Sequence, residues 1–364
     1  MNEGGTAGDA SSFFYEPFRR KFVLSMKSGQ YGRSRDYAEG DTLAEAAQAS
    51  RSTAHPPVYW ASTDLHDHPC QPGGSGTHAE VYELMANAYE SLTVMLISVF
   101  QGKGVNPNSS YPVDEHDNVA LGFSRDGFHF SRAPPPPDAQ YREPFIREAC
   151  PSWTAATARV DPNCSNASRW NFVNVQPTGG GFLVFEDEIR FYISGRRPNR
   201  GTDFVDGHSE IAVGLARLRR DGFASFSASS FGVFTTQPVL FSGAFLWVNA
   251  NVPPGGSLRV QVLDSAGAVL EPWGQANSTV LTDMDATKIR VKWWHNVMTR
   301  TGSHDELSLA AAAGLAVRFR FELRAGARLF SFWVSNRTCG ASGGFVGAGS
   351  PDYPTQCDDS CDSQ

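Results

Sequence analysis

The sequence predicts an all-β protein in which propeller-like blades precede a β-sandwich. Three observations indicate this fold class: a turn-rich composition, a repeated strand–turn–strand pattern, and alternation of apolar and polar residues late in the chain. The 364 residues include 35 glycines, 22 prolines and 25 phenylalanines, which favours many short strands joined by turns over long helices. With 41% hydrophobic and 19% charged residues, the chain can bury a core.

Charge, hydropathy and motif content exclude several classes of function. The 31 Lys and Arg against 38 Asp and Glu give a formal net charge of −7, so nothing favours a nucleic acid as the main partner. The longest apolar stretch, residues 92–100 (LTVMLISVF), is too short to span a bilayer. The sequence contains no P-loop, no G-x-G-x-x-G after a strand and no G-x-S-x-G elbow, and no cofactor is expected.

A repeat indicates the blades. NVALGFSRDGFHFS (118–131) resembles AVGLARLRRDGFASFS (212–227), and each is an apolar strand, Arg-Asp-Gly-Phe and a second short strand. With a weaker copy at 32–42, Asp36, Asp126 and Asp221 mark successive blades. A repeated meander of this kind is typical of a β-propeller, whereas two unrelated Asp-Gly hairpins are the alternative. Strands are expected at 21–26, 80–84, 92–100, 118–123, 128–131, 170–175, 181–185, 189–194, 211–218 and 223–227, with hairpin turns at 179–181 and 186–188.

The pattern of apolar and polar residues changes after Thr236. Residues 257–263, 289–293 and 317–323 alternate between apolar and polar side chains, which indicates strands with one buried and one solvated face. Several such strands within about 100 residues predict a β-sandwich. The predicted organisation is therefore a propeller-like domain over 1–235, a sandwich over 236–338 and a polar, cysteine-containing tail over 339–364.

Cysteines and glycosylation sequons favour the secretory route. The six cysteines lie at 70, 150, 164, 339, 357 and 361, and five N-x-S/T sequons begin at Asn108, Asn163, Asn166, Asn277 and Asn336. An even number of loop cysteines suits disulfides, with Cys150 and Cys164 as the expected pair; free thiols and a zinc site are alternatives. The N-terminus lacks the pattern of a signal peptide, so we expect either an intracellular protein or a secreted one whose signal peptide and first blades precede Met1.

These segments together resemble a known family. Blades that carry the motif S-R-D-G-F-x-F are followed by a sandwich. This arrangement resembles that of the five-bladed propeller glycosidases of the invertase/fructanase and arabinanase/xylosidase types. SRDGFHFSR and WNFVNVQPTGGGFLVFEDEIRFYISGRR resemble blades, and GLARLRRDGFASF, TTQPVLFSGAFLWVNA and RFRFELRAGARLFSFWV resemble the join and the sandwich. The resemblance covers roughly residues 60–335 and implies a secreted hydrolase, with an oligo- or polysaccharide as the expected partner. The sequence does not contain the longer Asp-Pro-bearing signature or the Glu-Cys signature of the characterised enzymes.

Glycoside hydrolysis needs two carboxyl groups, one protonated and one ionised. The loop before the strand at residue 80 is the best candidate, because groups at the start of a blade's inner strand converge on the channel. Asp64 or Asp67 is the predicted base or nucleophile, and Glu80 is the predicted acid. A polar loop whose carboxylates cap turns is the alternative, and a metal site built with His66, His68 and His78 is a weaker one.

The predicted substrate-binding residues are His78, Trp170, Asn171, Arg196 and His208. Tryptophan stacks on sugar rings but in β-proteins is more often core, and the charged residues are alternatively ordinary loop residues. Asn171 stands where a carboxylate would suit catalysis better, which favours a second class of function. The hypotheses are thus a glycosidase and a non-catalytic glycan- or protein-binding propeller that has lost its acid/base pair.

Overall fold

The computed structural model describes residues 8–28, 32–67, 79–102, 115–149, 170–171, 173–198, 209–295 and 305–346. Strands dominate this part of the chain, as predicted, and the described residues contain one short α-helix and one 3-10 turn at Leu309–Ala312. They divide into two compact units. The first runs to Leu183 and includes Arg190–Arg217 and the strand at 345–346, and the second contains Val184–Ile189 and Leu218–Gly344. Among the described helices, none is both long and apolar enough to cross a membrane.

The first sheet of unit 1 is an antiparallel meander of four strands in the order β1-β2-β3-β4. Its strands are β1 (Ser12–Glu16), β2 (Lys21–Ser28), β3 (Ser34–Gly40) and β4 (Val58–Ala61). Helix α1 (Leu43–Ala49) precedes β4 and begins with a capping box, in which Thr42 and Glu45 each accept a hydrogen bond from the other's backbone N–H. Two such bonds satisfy donors that the helix itself leaves unpaired.

The second sheet carries the longest strands of unit 1 and has the order β19-β5-β6-β7-β8. Its strands are β5 (Glu80–Glu90), β6 (Leu92–Gly102), β7 (Glu115–Ser124), β8 (Phe130–Arg132) and, on the edge, β19 (Phe345–Val346). One face contributes Leu84, Ile97 and Ala120 to a core that also contains residues of the first sheet. The opposite face carries Glu83 and Ser98, because side chains alternate along a strand.

The third sheet consists of β9 (Val173–Val184), β10 (Glu188–Pro198) and β11 (Ser209–Arg219) in the order β11-β10-β9. The turn predicted at 186–188 joins β9 to β10, with the N–H of Phe185 bonded to the carbonyl of Glu188 at 2.8 Å. The turn predicted at 179–181 is wrong, because these glycines lie inside β9. Gly180 and Gly181 have φ of +94° and +75°, a conformation open to glycine that lets an irregular strand continue.

Unit 2 is a β-sandwich with two antiparallel sheets. Their orders are β12-β18-β14-β16 and β13-β17-β15. The strands are β12 (Phe226–Ser227), β13 (Phe231–Thr235), β14 (Phe245–Val252), β15 (Ser257–Asp264), β16 (Met284–Val291), β17 (Val317–Arg324) and β18 (Arg328–Ser335). The alternation predicted along β17 is confirmed: Val317, Phe319, Phe321 and Leu323 are at most 2% exposed.

Two predictions from the sequence differ from the structure. The sandwich begins before the predicted residue 236, because β12 pairs with β18 and β13 pairs with β17. The weak third repeat is not equivalent to the others, since Asp36 lies within strand β3 while Asp126 and Asp221 follow strands β7 and β11. The copy at 32–42 shares the Arg-Asp pair with the two clear repeats, but there the pair is followed by Tyr37 instead of the glycine that permits a tight turn.

Candidate active site

The loop predicted to carry catalytic carboxylates is held by two arginines. Arg132 binds both carboxylate oxygens of Asp67, at 2.7 and 2.5 Å. Arg142 binds both oxygens of Asp64, at 2.6 and 2.9 Å, and its Nη1 lies 3.5 Å from Asp67. The structure thus brings Asp64 and Asp67 together around Arg142. Such bidentate pairs fix both the charge and the orientation of a carboxylate.

The two aspartates differ in accessibility. The Asp67 side chain is 3% exposed and that of Asp64 is 49% exposed. The hydrogen bond from Arg142 is the main cause that holds the pKa of Asp64 below its ordinary value, outweighing the effect of burial. Asp64 is therefore ionised at neutral pH, which suits a base or nucleophile and does not suit an acid.

Glu80, the predicted acid, lies at the start of β5 in an ion pair. Its Oε2 is 3.0 Å from Nη1 of Arg33, and its Oε1 accepts the Arg33 backbone N–H at 3.0 Å. The hydroxyl of Thr63 donates to the carbonyl of Ala79 at 2.6 Å, which ties the aspartate loop to the start of the same strand. Arg33 therefore holds both carboxylate oxygens of Glu80.

Of the predicted binding residues, three are described. The indole of Trp170 packs directly on Gly214 of strand β11 in the third sheet. The contact is so close that a Cβ at position 214 would lie 2.3 Å from the ring. Asn171 accepts the N–H of Ala149 through its carbonyl at 2.7 Å. Arg196 lies half-buried in β10. His78 and His208 lie outside the described residues, as do the alternative ligand His68 and every cysteine except Cys339.

Sequence reasoning missed two buried carboxyl groups on one face of the second sheet. Glu83 lies on β5 and pairs across the strands with Ser98 of β6, and Ser98 donates a hydrogen bond to Asp117 of β7. Asp117 has no exposed surface, and Nε2 of Gln176 from β9 donates to its second oxygen at 2.9 Å. Glu83 is 7% exposed.

Both carboxyls hold protons more tightly than usual. Burial raises the pKa of Glu83 to about 7, although the charge of Arg35 opposes the rise. Burial also raises the pKa of Asp117 well above its ordinary value, and the charges of Glu148 and Glu83 add to the rise against the hydrogen bonds from Ser98 and Gln176. Arg35 is itself fully buried, and its guanidinium donates to the carbonyls of Tyr82 and Ala10 at 2.9 and 2.8 Å.

The sequence around Glu83 and Asp117 contains a signal that could have identified them. Glu83 interrupts VYELMANAY, a stretch long enough to be a buried strand, and Asp117 stands immediately before the apolar NVALGF. A carboxyl inside a doubly buried strand lacks solvent and is a candidate for a raised pKa. For the metal alternative, the described residues contain no group of three His, Cys, Asp or Glu side chains that could hold an ion.

No protein-family model matches the chain, and no curated protein sequence does. Among solved structures, the chain is similar to a glycosyl hydrolase from Bacteroides ovatus (10% identity, 78% of this chain, 66% of that one, TM-score 0.26). It is also similar to an exo-inulinase from Aspergillus awamori (11% identity, 87% of this chain, 65% of that one, TM-score 0.25). A third similar structure is an exo-beta-1,3-galactanase from Phanerochaete chrysosporium (11% identity, 91% of this chain, 83% of that one, TM-score 0.18). The chain spans just under two thirds of the length of the first two. At these identities and scores, the likeness says nothing of substrate or mechanism.

Proposed function

We propose that the protein is a glycosidase-like hydrolase of an oligo- or polysaccharide, and that Glu83 takes the role of proton donor. The observation that supports this role is the pKa of about 7 that burial gives to Glu83. A general acid works best when its pKa lies near the working pH, since it is then both protonated and able to release the proton. Asp117 lies two strands away on the same face, and the charge of Glu83 adds to the rise in the pKa of Asp117 that burial causes.

The ionised partner is proposed from the predicted loop. Asp64 has exposed oxygens and a pKa that Arg142 holds low, as a base or nucleophile requires. Asp67 has little exposed surface, since Arg132 and Arg142 surround it. Two carboxyls whose environments push their pKa values apart are the usual basis for assigning acid and base roles.

Two glutamates three residues apart in β5 provide the test. The protein is screened for release of reducing sugar from a panel of fructans, arabinans, xylans and galactans, and the variants Glu83→Gln, Glu80→Gln and Asp64→Asn are compared on any active substrate. We expect Glu83→Gln to lower kcat by at least 100-fold, since the amide keeps the volume but has no acidic proton to deliver. Loss in Glu80→Gln with full activity in Glu83→Gln would restore the acid role to Glu80.

The alternative function is non-catalytic binding of a glycan or a protein. The observation that favours it is the pairing of Asp67 and Glu80 with arginines, together with Asn171 in place of a carboxylate. Wild-type protein that binds members of the panel in a pull-down assay and releases no sugar from any of them would support this function over hydrolysis.

A further inference from the structure

A groove of about 400 Å³ opens in unit 1, away from the carboxyl groups discussed above. One wall is apolar and consists of Pro56, Pro57 and Val58 before and within β4, with Phe128 from the turn after β7. The polar end contains Arg19 and Glu39. This volume lies in the range of sites that take small ligands, and apolar walls with a few fixed polar groups are typical of them.

The polar end is held in one arrangement by its own hydrogen bonds. Nη2 of Arg19 lies 2.8 Å from the hydroxyl of Tyr37 and 2.9 Å from Oε2 of Glu39, and the Tyr37 hydroxyl donates to the same Oε2. Nε of Arg19 donates to the carbonyl of Asp126. Within the described part of the chain, no hydrogen bond uses Nη1 of Arg19 or Oε1 of Glu39, and the two side chains are 32% and 31% exposed. Within this ion pair, Arg19 therefore retains a donor and Glu39 an acceptor.

This pair of groups selects the chemistry of the ligand. A hydroxyl both donates and accepts, so two neighbouring hydroxyls can receive from Arg19 and donate to Glu39 at once, through charge-assisted hydrogen bonds. Arg19 is balanced by Glu39, and the charge of Asp126 is engaged by Nδ1 of His129 at 2.8 Å. The lining thus presents no uncompensated arginine or lysine for an anionic group, which favours a neutral ligand over an anionic one.

We propose that this groove binds a neutral sugar ring, with a vicinal diol on Arg19 and Glu39 and the C–H face of the ring on Pro57, Val58 and Phe128. The site is separate from the buried carboxyl pair. Phe128 packs against the core on the Leu84 face of the second sheet, whereas Glu83 lies on the opposite face. The proposal therefore stands or fails independently of the proposed hydrolysis.

The test measures the binding of small glycosides by saturation-transfer NMR. The probes are methyl α-D-glucopyranoside, methyl β-D-galactopyranoside and methyl β-D-xylopyranoside, and tetrahydropyran-2-methanol is the ring without a vicinal diol. We expect at least one glycoside to bind with Kd of about 1 mM, an affinity of about −4 kcal/mol, and tetrahydropyran-2-methanol to bind at least tenfold more weakly. Absence of binding by all three glycosides, or equal binding of the diol-free ring, would overturn the proposal.

Two matched pairs of variants locate the binding. Val58 is 52% exposed and lines the groove, while its neighbour Tyr59 lies outside the lining. Val58→Trp should fill the groove and weaken binding at least tenfold, and Tyr59→Trp should not. Glu39→Gln should weaken binding, and Asp41→Asn, which removes a charge outside the groove, should not. Circular dichroism confirms that each variant is folded. Wild-type affinity in Val58→Trp, or equal weakening in Tyr59→Trp, would place the sugar elsewhere and refute the groove.

Discussion

The hydroxyl of Ser98 donates a hydrogen bond to Oδ1 of Asp117, and neither residue has any exposed surface. With Gln176 bound to the other oxygen at 2.9 Å, the carboxyl group is enclosed by donors from two sheets. Buried polar networks stabilise a structure when every member has a partner and are costly when one lacks it. The protonation of the buried acidic groups on this face of the second sheet, Asp117 and Glu83, should therefore affect the stability of the protein.

Glu83 should make the stability of unit 1 depend on pH. Its pKa is raised from 4.5 to about 7 by burial, so the folded state binds the proton more tightly than the unfolded state. The stabilisation is then complete below about pH 4.5 and is lost as the pH rises through 7. The rise corresponds to about 3 kcal/mol at pH 8. Glu83→Gln should lie close to wild type at pH 4.5 and be more stable than wild type at pH 8.

Urea unfolding at the two pH values measures this difference, and Glu80→Gln is the control. Glu80 lies three residues away, and its side chain is 30% exposed beside Arg33, so its replacement should not remove the pH dependence. If Glu83→Gln and wild type changed in parallel between pH 4.5 and 8, folding would leave the pKa of Glu83 at its ordinary value, and the acid role proposed for it would be contradicted.

The ion pair of Asp67 with Arg132 should stabilise the loop far more than that of Asp64 with Arg142. The Asp67 and Arg132 side chains are 3% and 7% exposed, and breaking a buried pair leaves an uncompensated charge at a cost of about 3–5 kcal/mol. Asp64 is about half exposed, and exposed pairs contribute about 0–1 kcal/mol. Asp67→Asn should lower Tm by several degrees more than Asp64→Asn in a thermal melt. Equal Tm values would mean that the Arg132 pair is not structural.

The sandwich strands could be predicted because β17 buries every second side chain, and alternation is visible in sequence alone. The second sheet was predicted only in part: its strands were found, but the buried Glu83 was overlooked because periodicity does not show which face meets another sheet. The arginines that bind Asp64 and Asp67 come from 65–78 residues further along the chain. Pairing over such a separation depends on the tertiary fold, so short-range spacing located these carboxylates but did not show the arginines that hold them.

The two Asp-Gly repeats should respond differently to the same substitution. Asp126 accepts the N–H groups of Phe128 and His129 at 2.9 and 2.8 Å, whereas Asp221 has φ of +58°, a conformation that glycine adopts without strain. Asp126→Gly should cost about 2 kcal/mol, since hydrogen bonds to a charged group are lost. Asp221→Gly should be within about 1 kcal/mol of wild type, because relief of the backbone strain offsets the loss of the hydrogen bond that the Ser331 hydroxyl donates to Asp221. Differential scanning calorimetry of the two variants measures both costs. The reverse order would contradict the assignment of the two turns.

Glycosylation should distinguish two sequons if the protein follows the proposed secretory route. Asn336 is exposed, whereas Nδ2 of Asn277 donates to the carbonyl of Pro272 at 2.7 Å and its Oδ1 is buried. A glycan occupies Nδ2 and requires a surface position, so the folded sandwich has room for one at Asn336 and not at Asn277. Glycopeptide mass spectrometry of protein secreted from a eukaryotic host should find Asn336 modified and Asn277 unmodified. Asn336→Gln should remove one glycan and Asn277→Gln none, and a glycan on Asn277 in folded protein would show that the Pro272 contact is not maintained.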